Sequence, residues 1–363
     1  MIREPNIFRT TGLRHRRLVS ALVFLTSLAV AAVAAEVLLR HRVARQAREV
    51  WRAGGLLPRP YPGVEYGLAP CPRCDVPVSS LGFRGGEVSR EKEPGVYRIA
   101  VLGDSATFGV GVSAETDTVP GRLRELLASR EGRFEVINAG GPGYNIRQIF
   151  AMLKETVLPL DPDLVVYNFF ANDLDNTVYE HRRLGGIDTL VFKTFDGPDG
   201  APIPGVPDGL HLWLNDRSFL YRYLNYAGYS LRDRLKGSRG GTPYWRPNIA
   251  HISRMADVLG ARGTEFVVSM ENFSRCAHFF SPGDPVSTRG GPRDCLTPRK
   301  ILDAVAAECA SRGIPVVDLQ PALRDVPLDS LVADDIDHYT AAGNPRMAEE
   351  LFRFLDDRIL PRR

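Results

Sequence analysis

An alternation of two patterns constrains the fold of this chain most. Five short apolar runs, Arg98–Leu102, Phe134–Asn138, Leu164–Phe169, Glu265–Met270 and Pro315–Asp318, are separated by segments of helical periodicity at Val119–Ala128, Ile146–Leu158, Ile249–Gly260 and Pro298–Ser311. Such runs, bounded by turn formers, read as strands buried on both faces. Strands joined through helices pair in parallel, with the helices covering the sheet, which predicts an α/β domain around a mostly parallel five-stranded sheet. A last helix near the C-terminus carries an apolar stripe at Met347, Leu351 and Leu355. No internal repeat is visible.

Composition sets the outer bounds. The 363 residues suffice for one large domain with appendages or for two ordinary ones, and 44% hydrophobic with 25% charged residues marks a globular chain. A formal net charge of +3 gives no basic surface for nucleic acid, and none is expected as a partner. Two long segments, 174–248 and 271–297, interrupt the alternation and carry Tyr179, His181, Trp213, Tyr244, Trp245, Phe279 and Phe280 among many Gly and Pro. They fit lids or binding walls, and they fit equally small helical subdomains over the sheet edges.

Four blocks supply the parts of an acyl-transfer site. The first strand ends in Gly103-Asp104-Ser105, which delivers a serine to the carboxyl edge of the sheet, where α/β proteins place their ligands. The second strand opens into Ala139-Gly-Gly-Pro-Gly143, and Gly143 has no Cβ to shield its N–H. The third ends in Ala171-Asn172-Asp173, where the Asn172 amide is a second donor. Near the C-terminus, Asp334-Asp335-Ile-Asp337-His338 adds a histidine, with Asp335 three positions earlier to hold its tautomer. Each block also has a plain structural reading as a turn, a helix cap or a surface loop. Their convergence on one sheet edge favours chemistry.

The order Gly-Asp-Ser105, Gly143, Asn172, Asp335-x-x-His338 resembles the SGNH (GDSL-type) hydrolase superfamily over about residues 79–357. Ser79-Ser-Leu-Gly-Phe-Arg-Gly85 and Gly313-Ile-Pro-Val-Val-Asp318 are similar to its membrane-anchored bacterial members. The resemblance implies a flavodoxin-like three-layer α/β/α fold. It casts Ser105 as nucleophile, His338 as general base and acid, and Asp335 as the residue that orients His338. The Ser105 N–H, the Gly143 N–H and the Asn172 side chain form the oxyanion hole in this scheme, while Asp104 organises the turn. Two departures stand out. Pro345 follows the histidine block, with Asn344 expected as N-cap and Pro345 at the first helical position. The third block reads Ala-Asn-Asp where the family more commonly has Gly-Asn-Asp.

The N-terminus carries a separate signal. Leu18 to Ala35 is uncharged, and the run extended to Leu39 has 22 residues, interrupted only by Glu36. As a helix it crosses a hydrocarbon core of ~30 Å. Small-residue sites at Ala29-Val-Ala31 and Ala32-Val-Ala34 also fit a cleaved signal peptide, and a buried soluble helix is a third reading. The length of the run favours a single-pass anchor. The flanking arginines nearly balance, with Arg3, Arg9, Arg14, Arg16 and Arg17 before the run and Arg40, Arg42, Arg45, Arg48 and Arg52 after it, and the three that abut the run lean towards an N-terminus inside. The expected organisation is a cytoplasmic tail (1–17), a transmembrane anchor (18–39), a stalk and linker (40–95) and an extracytoplasmic hydrolase domain (96–363).

Outside the cytoplasm, Cys71–Cys74 and Cys276–Cys295 would be local disulfides. A zinc site built from all four is the alternative, and Cys309 reads as a buried thiol. The expected function is a membrane-anchored serine esterase or deacylase that needs no metal or organic cofactor. Its substrate is an ester, with acylated glycans and lipids among the candidates. An O-acyltransferase acting on a sugar hydroxyl, and a non-catalytic glycan-binding module on the same fold, are the alternatives.

Overall fold

In a computed structural model of the chain, the described residues are 7–52, 56–175, 177–184, 186–194, 206–237, 245–276, 296–334 and 338–361. In chain order the strands are β1 (Pro58–Tyr61), β2 (Val64–Leu68), β3 (Val96–Gly103), β4 (Arg133–Gly140), β5 (Leu164–Phe170), β6 (Thr177–Leu184), β7 (Ile187–Thr194), β8 (Glu265–Glu271) and β9 (Val316–Asp318). The helices are α1 (Ile7–Arg52), α2 (Ser105–Phe108), α3 (Val119–Ala128), α4 (Ile146–Met152), α5 (Asp208–Arg217), α6 (Phe219–Gly237), α7 (Ala250–Gly260), α8 (Leu296–Ser311), α9 (Leu328–Leu331) and α10 (Asn344–Arg358).

All five expected strands pair in parallel in the order β4-β3-β5-β8-β9. This is the flavodoxin-type order. The first strand, β3, lies between β4 and β5, so successive crossovers leave it on opposite sides and open a crevice at its carboxyl end. Side chains of β3 alternate between the faces. Ala100 and Leu102 meet Ile149 of α4, Ile252 and Met255 of α7 and Leu302 of α8, whereas Ile99 and Val101 meet Leu123 of α3 and Leu351 of α10. Burial on both faces, worth about 1.5–3 kcal/mol for each such aliphatic side chain, fixes the three-layer α/β/α stack.

Three details depart from the sequence expectations. The helix expected over 146–158 is regular only to Met152, then widens into a π turn at Leu153–Val157 and a tight turn at Leu158–Leu160. Pro159 has no N–H to continue the ladder, and the turn closes on Asp161 in the left-handed region at φ 53°. At the last helix Gly343, rather than Asn344, is the N-cap, and Pro345 sits within the first turn. The backbone N–H groups of Gly343 and Asn344 both reach the Thr340 carbonyl, which draws Asn344 into the helix. Finally, part of the segment expected as linker joins the core. The β1–β2 hairpin is antiparallel, and Val64, Tyr66, Leu81 and Phe83 are buried against the α4 side of the sheet.

The first insertion contains an antiparallel hairpin, β6–β7, whose register closes at Leu184 and Ile187, followed by α5 and α6. Gly186 in the connection adopts φ 82°, a backbone conformation glycine takes readily. Of the second insertion, the described part ends in a short turn at Ser274–Cys276. Tyr244, Phe279, Phe280 and Cys295 lie outside the described residues. Cys71 and Cys74 form a disulfide with a Cα–Cα distance of 5.5 Å, which removes them from any zinc site. Cys276 is also disulfide-bonded. Cys309 is a free buried thiol, pushed up to about 12 by desolvation.

Candidate active site

The carboxyl end of β3 turns sharply into α2, and Gly103 makes the turn possible. A Cβ there would lie 2.0 Å from Thr107 Oγ1 and 2.8 Å from the Asn168 carbonyl. Asp104 caps the short helix by accepting the Ala106 N–H at 2.9 Å. Its carboxylate also receives a hydrogen bond from the Asn172 side chain, and burial pushes it above the ordinary range. Ser105, next in the chain, is half-buried, with its hydroxyl facing His338.

His338 is presented by a pinched loop. Val332 and Tyr339 form an antiparallel bridge, the Ala333 N–H donates to the His338 carbonyl at 2.8 Å, and the Tyr339 hydroxyl donates to the Asn272 carbonyl at 2.9 Å. His338 Nε2 lies 2.8 Å from Ser105 Oγ, and Nδ1 lies 2.6 Å from Asp334 Oδ2. Among the described residues the carboxylate on His338 is Asp334, where the sequence pointed to Asp335. Asp335 itself lies outside the described residues. The reason is the loop's closure. With Ala333 tied to His338, Asp334 is the first residue inside the pinch, and its Oδ1 also accepts the His338 backbone N–H at 3.2 Å. An Nδ1–H donated to Asp334 leaves Nε2 as an acceptor for the serine proton.

The opposite wall comes from β4 and β5. Gly143 adopts φ 79°, the left-handed region that favours glycine. A Cβ on it would lie 3.0 Å from the Tyr179 ring and 3.2 Å from the Tyr66 hydroxyl, which donates to the Pro142 carbonyl. The tyrosines thus hold the Gly143 turn closed. Asn172 sits on a tight turn at Ala171–Leu174. Asp173 fixes that turn by accepting the Phe170 N–H at 3.0 Å and the Tyr167 hydroxyl at 2.8 Å. Asp173 is fully buried and held well above the usual carboxylate range by desolvation, while Asn172 is exposed to the cleft.

Two supports escaped sequence reasoning. The buried Arg84 guanidinium donates to the carbonyls of Phe108 at 3.2 Å, Gly109 at 2.6 Å, Val112 at 2.9 Å and Ser113 at 2.9 Å, clamping the loop after the serine helix. Beneath that helix, Asn168 Nδ2 donates to Thr107 Oγ1 at 3.0 Å and to Glu271 Oε1 at 2.6 Å. Glu271 is buried, and desolvation pushes its carboxyl up to about 7. Among the described residues no group of three or more His, Cys, Asp or Glu side chains is placed to hold a metal ion.

A serine, a histidine and a carboxylate in hydrogen-bonded sequence can carry out acyl transfer. The model of the GDSL-like lipase/acylhydrolase family matches residues 101–346. No curated protein matches the chain. Similar solved structures include the lipase/acylhydrolase from Enterococcus faecalis, 17% identical over 73% of this chain and 98% of that one, with a TM-score of 0.43. Another is the psychrotrophic esterase EstA from Pseudoalteromonas sp., 11% identical over 72% of this chain and 97% of that one, with a TM-score of 0.41. A third is the acetyl xylan esterase AlAXEase, 13% identical over 70% of this chain and 98% of that one, with a TM-score of 0.42.

Proposed function

The chain belongs to the GDSL-like lipase/acylhydrolase family, and from that premise we propose that it is a membrane-anchored serine esterase or deacylase whose nucleophile is Ser105. The observation that carries this reading is the continuous contact Ser105 Oγ–His338 Nε2 at 2.8 Å and His338 Nδ1–Asp334 Oδ2 at 2.6 Å. In the first half-reaction Ser105 Oγ attacks the ester carbonyl carbon as its proton passes to His338 Nε2. The developing oxyanion accepts hydrogen bonds from the Ser105 N–H, the Gly143 N–H and the Asn172 amide. Asp334 stabilises the imidazolium. Collapse of the tetrahedral intermediate breaks the C–O bond, and His338 returns the proton to the leaving alcohol. In the second half His338 deprotonates a water, which attacks the acyl-serine and regenerates the free hydroxyl. A sugar hydroxyl in place of that water would make the same machinery a transferase.

Residues 18–39 serve as the anchor in this reading. They lie within one continuous helix whose apolar residues from Leu18 to Leu38 are exposed, a surface suited to hydrocarbon. The Cys71–Cys74 disulfide supports a catalytic domain outside the cytoplasm, because disulfides persist in oxidising compartments.

The test is labelling by a fluorophosphonate together with turnover of short-chain esters, long-chain esters and acetylated glycans by the full chain in detergent. Labelling of the wild type that vanishes in Ser105→Ala supports the assignment, and near-normal turnover by Ser105→Ala overturns it. Ser105→Ala, His338→Ala and the double variant are expected to reach a similar residual rate, because these groups act as a unit.

A further inference from the structure

Helices α5 and α6 have their polarity turned inside out. On α5 the polar His211 and Asn215 are buried, whereas Leu210 is 47% and Trp213 52% exposed. On α6 the polar Arg222 and Asn225 are buried, whereas Leu224 is 55% and Leu231 59% exposed. Leu224 and Leu231 are seven residues apart, two helical turns along one face, and Leu210 and Trp213 are similarly aligned at a spacing of three. A helix meeting water directs its polar side outward. This pair directs it inward, where Arg222 Nη2 pairs with Glu180 at 2.7 Å and the Tyr221 hydroxyl bonds His211 Nδ1 at 2.7 Å.

The pair is also tied to the end of the apolar N-terminal run. Glu36, three residues before Leu39, caps α6. Its carboxylate accepts the Ser218 hydroxyl at 2.9 Å and the N–H groups of Phe219 at 3.1 Å and Leu220 at 2.9 Å. Arg40 pairs with Glu36 at 2.7 Å, donates to the Arg217 carbonyl and lies 5.1 Å from the Phe219 ring centroid. Glu36 lies only about 4–5 Å along the helix from the end of the run, so the start of α6 is held at the level where hydrocarbon gives way to headgroups. Tryptophan and arginine, here Trp213 with the Arg217 guanidinium 5.2 Å from its ring, suit that level.

We propose that the α5–α6 hairpin lies on the lipid bilayer beside the anchor, with Leu210, Trp213, Leu224 and Leu231 immersed among headgroups and upper acyl segments. The inference rests on the reading of residues 18–39 as a membrane span. It adds a second, interfacial membrane contact and gives the half-buried Glu36 cap a purpose, which is to set the depth of the hairpin. Through the Arg222–Glu180 pair the same helix braces the strand that carries Tyr179, and so the Gly143 wall of the cleft.

The experiment places the full chain, wild type and Trp213→Phe, in phosphatidylcholine–phosphatidylglycerol vesicles with and without brominated acyl chains. Tryptophan quenching reads the hairpin, and an alkaline carbonate wash of the same vesicles reads the anchor. The other two tryptophans are common to both proteins. Retention after the wash, with bromine quenching that is largely lost in Trp213→Phe, is the expected result. Retention with equal quenching in the two proteins overturns the hairpin contact and leaves the anchor standing. Release by the wash overturns both. Absent Trp213 quenching together with cross-links between neighbouring copies assigns the face to a second chain and also overturns the proposal.

Discussion

Asp334 holds His338 at two points, the ring through Nδ1 at 2.6 Å and the backbone N–H at 3.2 Å. One carboxylate thus sets both the tautomer of the imidazole and the path of the loop that carries it. Asp334→Asn is expected to lower kcat by up to about 10⁴-fold, the loss seen when a triad histidine is held in the wrong tautomer. Asp335→Asn, at the position the sequence pointed to, is the comparison and is expected to lose less activity than Asp334→Asn. Kinetics on an activated ester check both, and an exchange of the two phenotypes would return the role to Asp335.

The neighbours Asn172 and Asp173 separate chemistry from stability. Asn172→Ala removes one oxyanion donor and should cost about 2.7–4 kcal/mol in transition-state stabilisation, read mainly in kcat. Asp173→Ala leaves the Phe170 N–H and the Tyr167 hydroxyl without their partner, at about 1–3 kcal/mol for each buried group. Its principal effect is a lower Tm. Parallel kinetics and thermal melts distinguish the pair, and an Asn172→Ala protein with intact kcat and a depressed Tm would make Asn172 a cap.

Arg84 reaches four carbonyls at once, a geometry that a planar guanidinium satisfies and an ammonium does not. Arg84→Lys retains the charge yet leaves part of this set unpaired, a loss of roughly 1.5–3 kcal/mol for each charge-assisted bond that is not replaced. Slower fluorophosphonate labelling and a lower Tm are expected together, since the clamped loop begins at the end of the serine helix. Wild-type values for Arg84→Lys would show that charge alone suffices.

Glu271 gives the fold a pH dependence of definite sign. Burial raises its folded pKa from an ordinary 4.5 to about 7, so between these values the folded protein binds more protons than the unfolded chain. Its contribution to stability is full below about pH 4.5 and is lost as pH rises to about 7. Glu271→Gln keeps an oxygen to accept the Asn168 amide and removes the titration. Chemical denaturation at pH 5 and at pH 7.5 should show a smaller fall in stability for the variant, and an unchanged difference would assign the effect elsewhere.

The sequence disclosed the sheet because its central strands are buried on both faces and read as apolar runs, and it singled out Ser105, Gly143 and Asn172 because each follows such a run. It pointed to Asp335, whereas the contact among the described residues is with Asp334. Three aspartates in four positions have no periodicity, and the choice depends on where Ala333 closes the loop. Arg84 was hidden for a different reason. Its partners lie 24 to 29 residues away and are backbone carbonyls, which carry no side-chain signature. The β6–β7 hairpin did leave a trace in Gly185-Gly186, but charged residues at 180–183 obscured the alternation beside it.

Ser105 and His338 are 233 residues apart in the chain, so assembly of the strand that bears the serine does not by itself bring the histidine to it. Without the loop that carries His338, the serine is an ordinary alcohol with no base beside it. On the proposed mechanism a chain cut before residue 338 keeps the serine and loses its base, and it is expected to be inert toward esters however well its other strands have assembled.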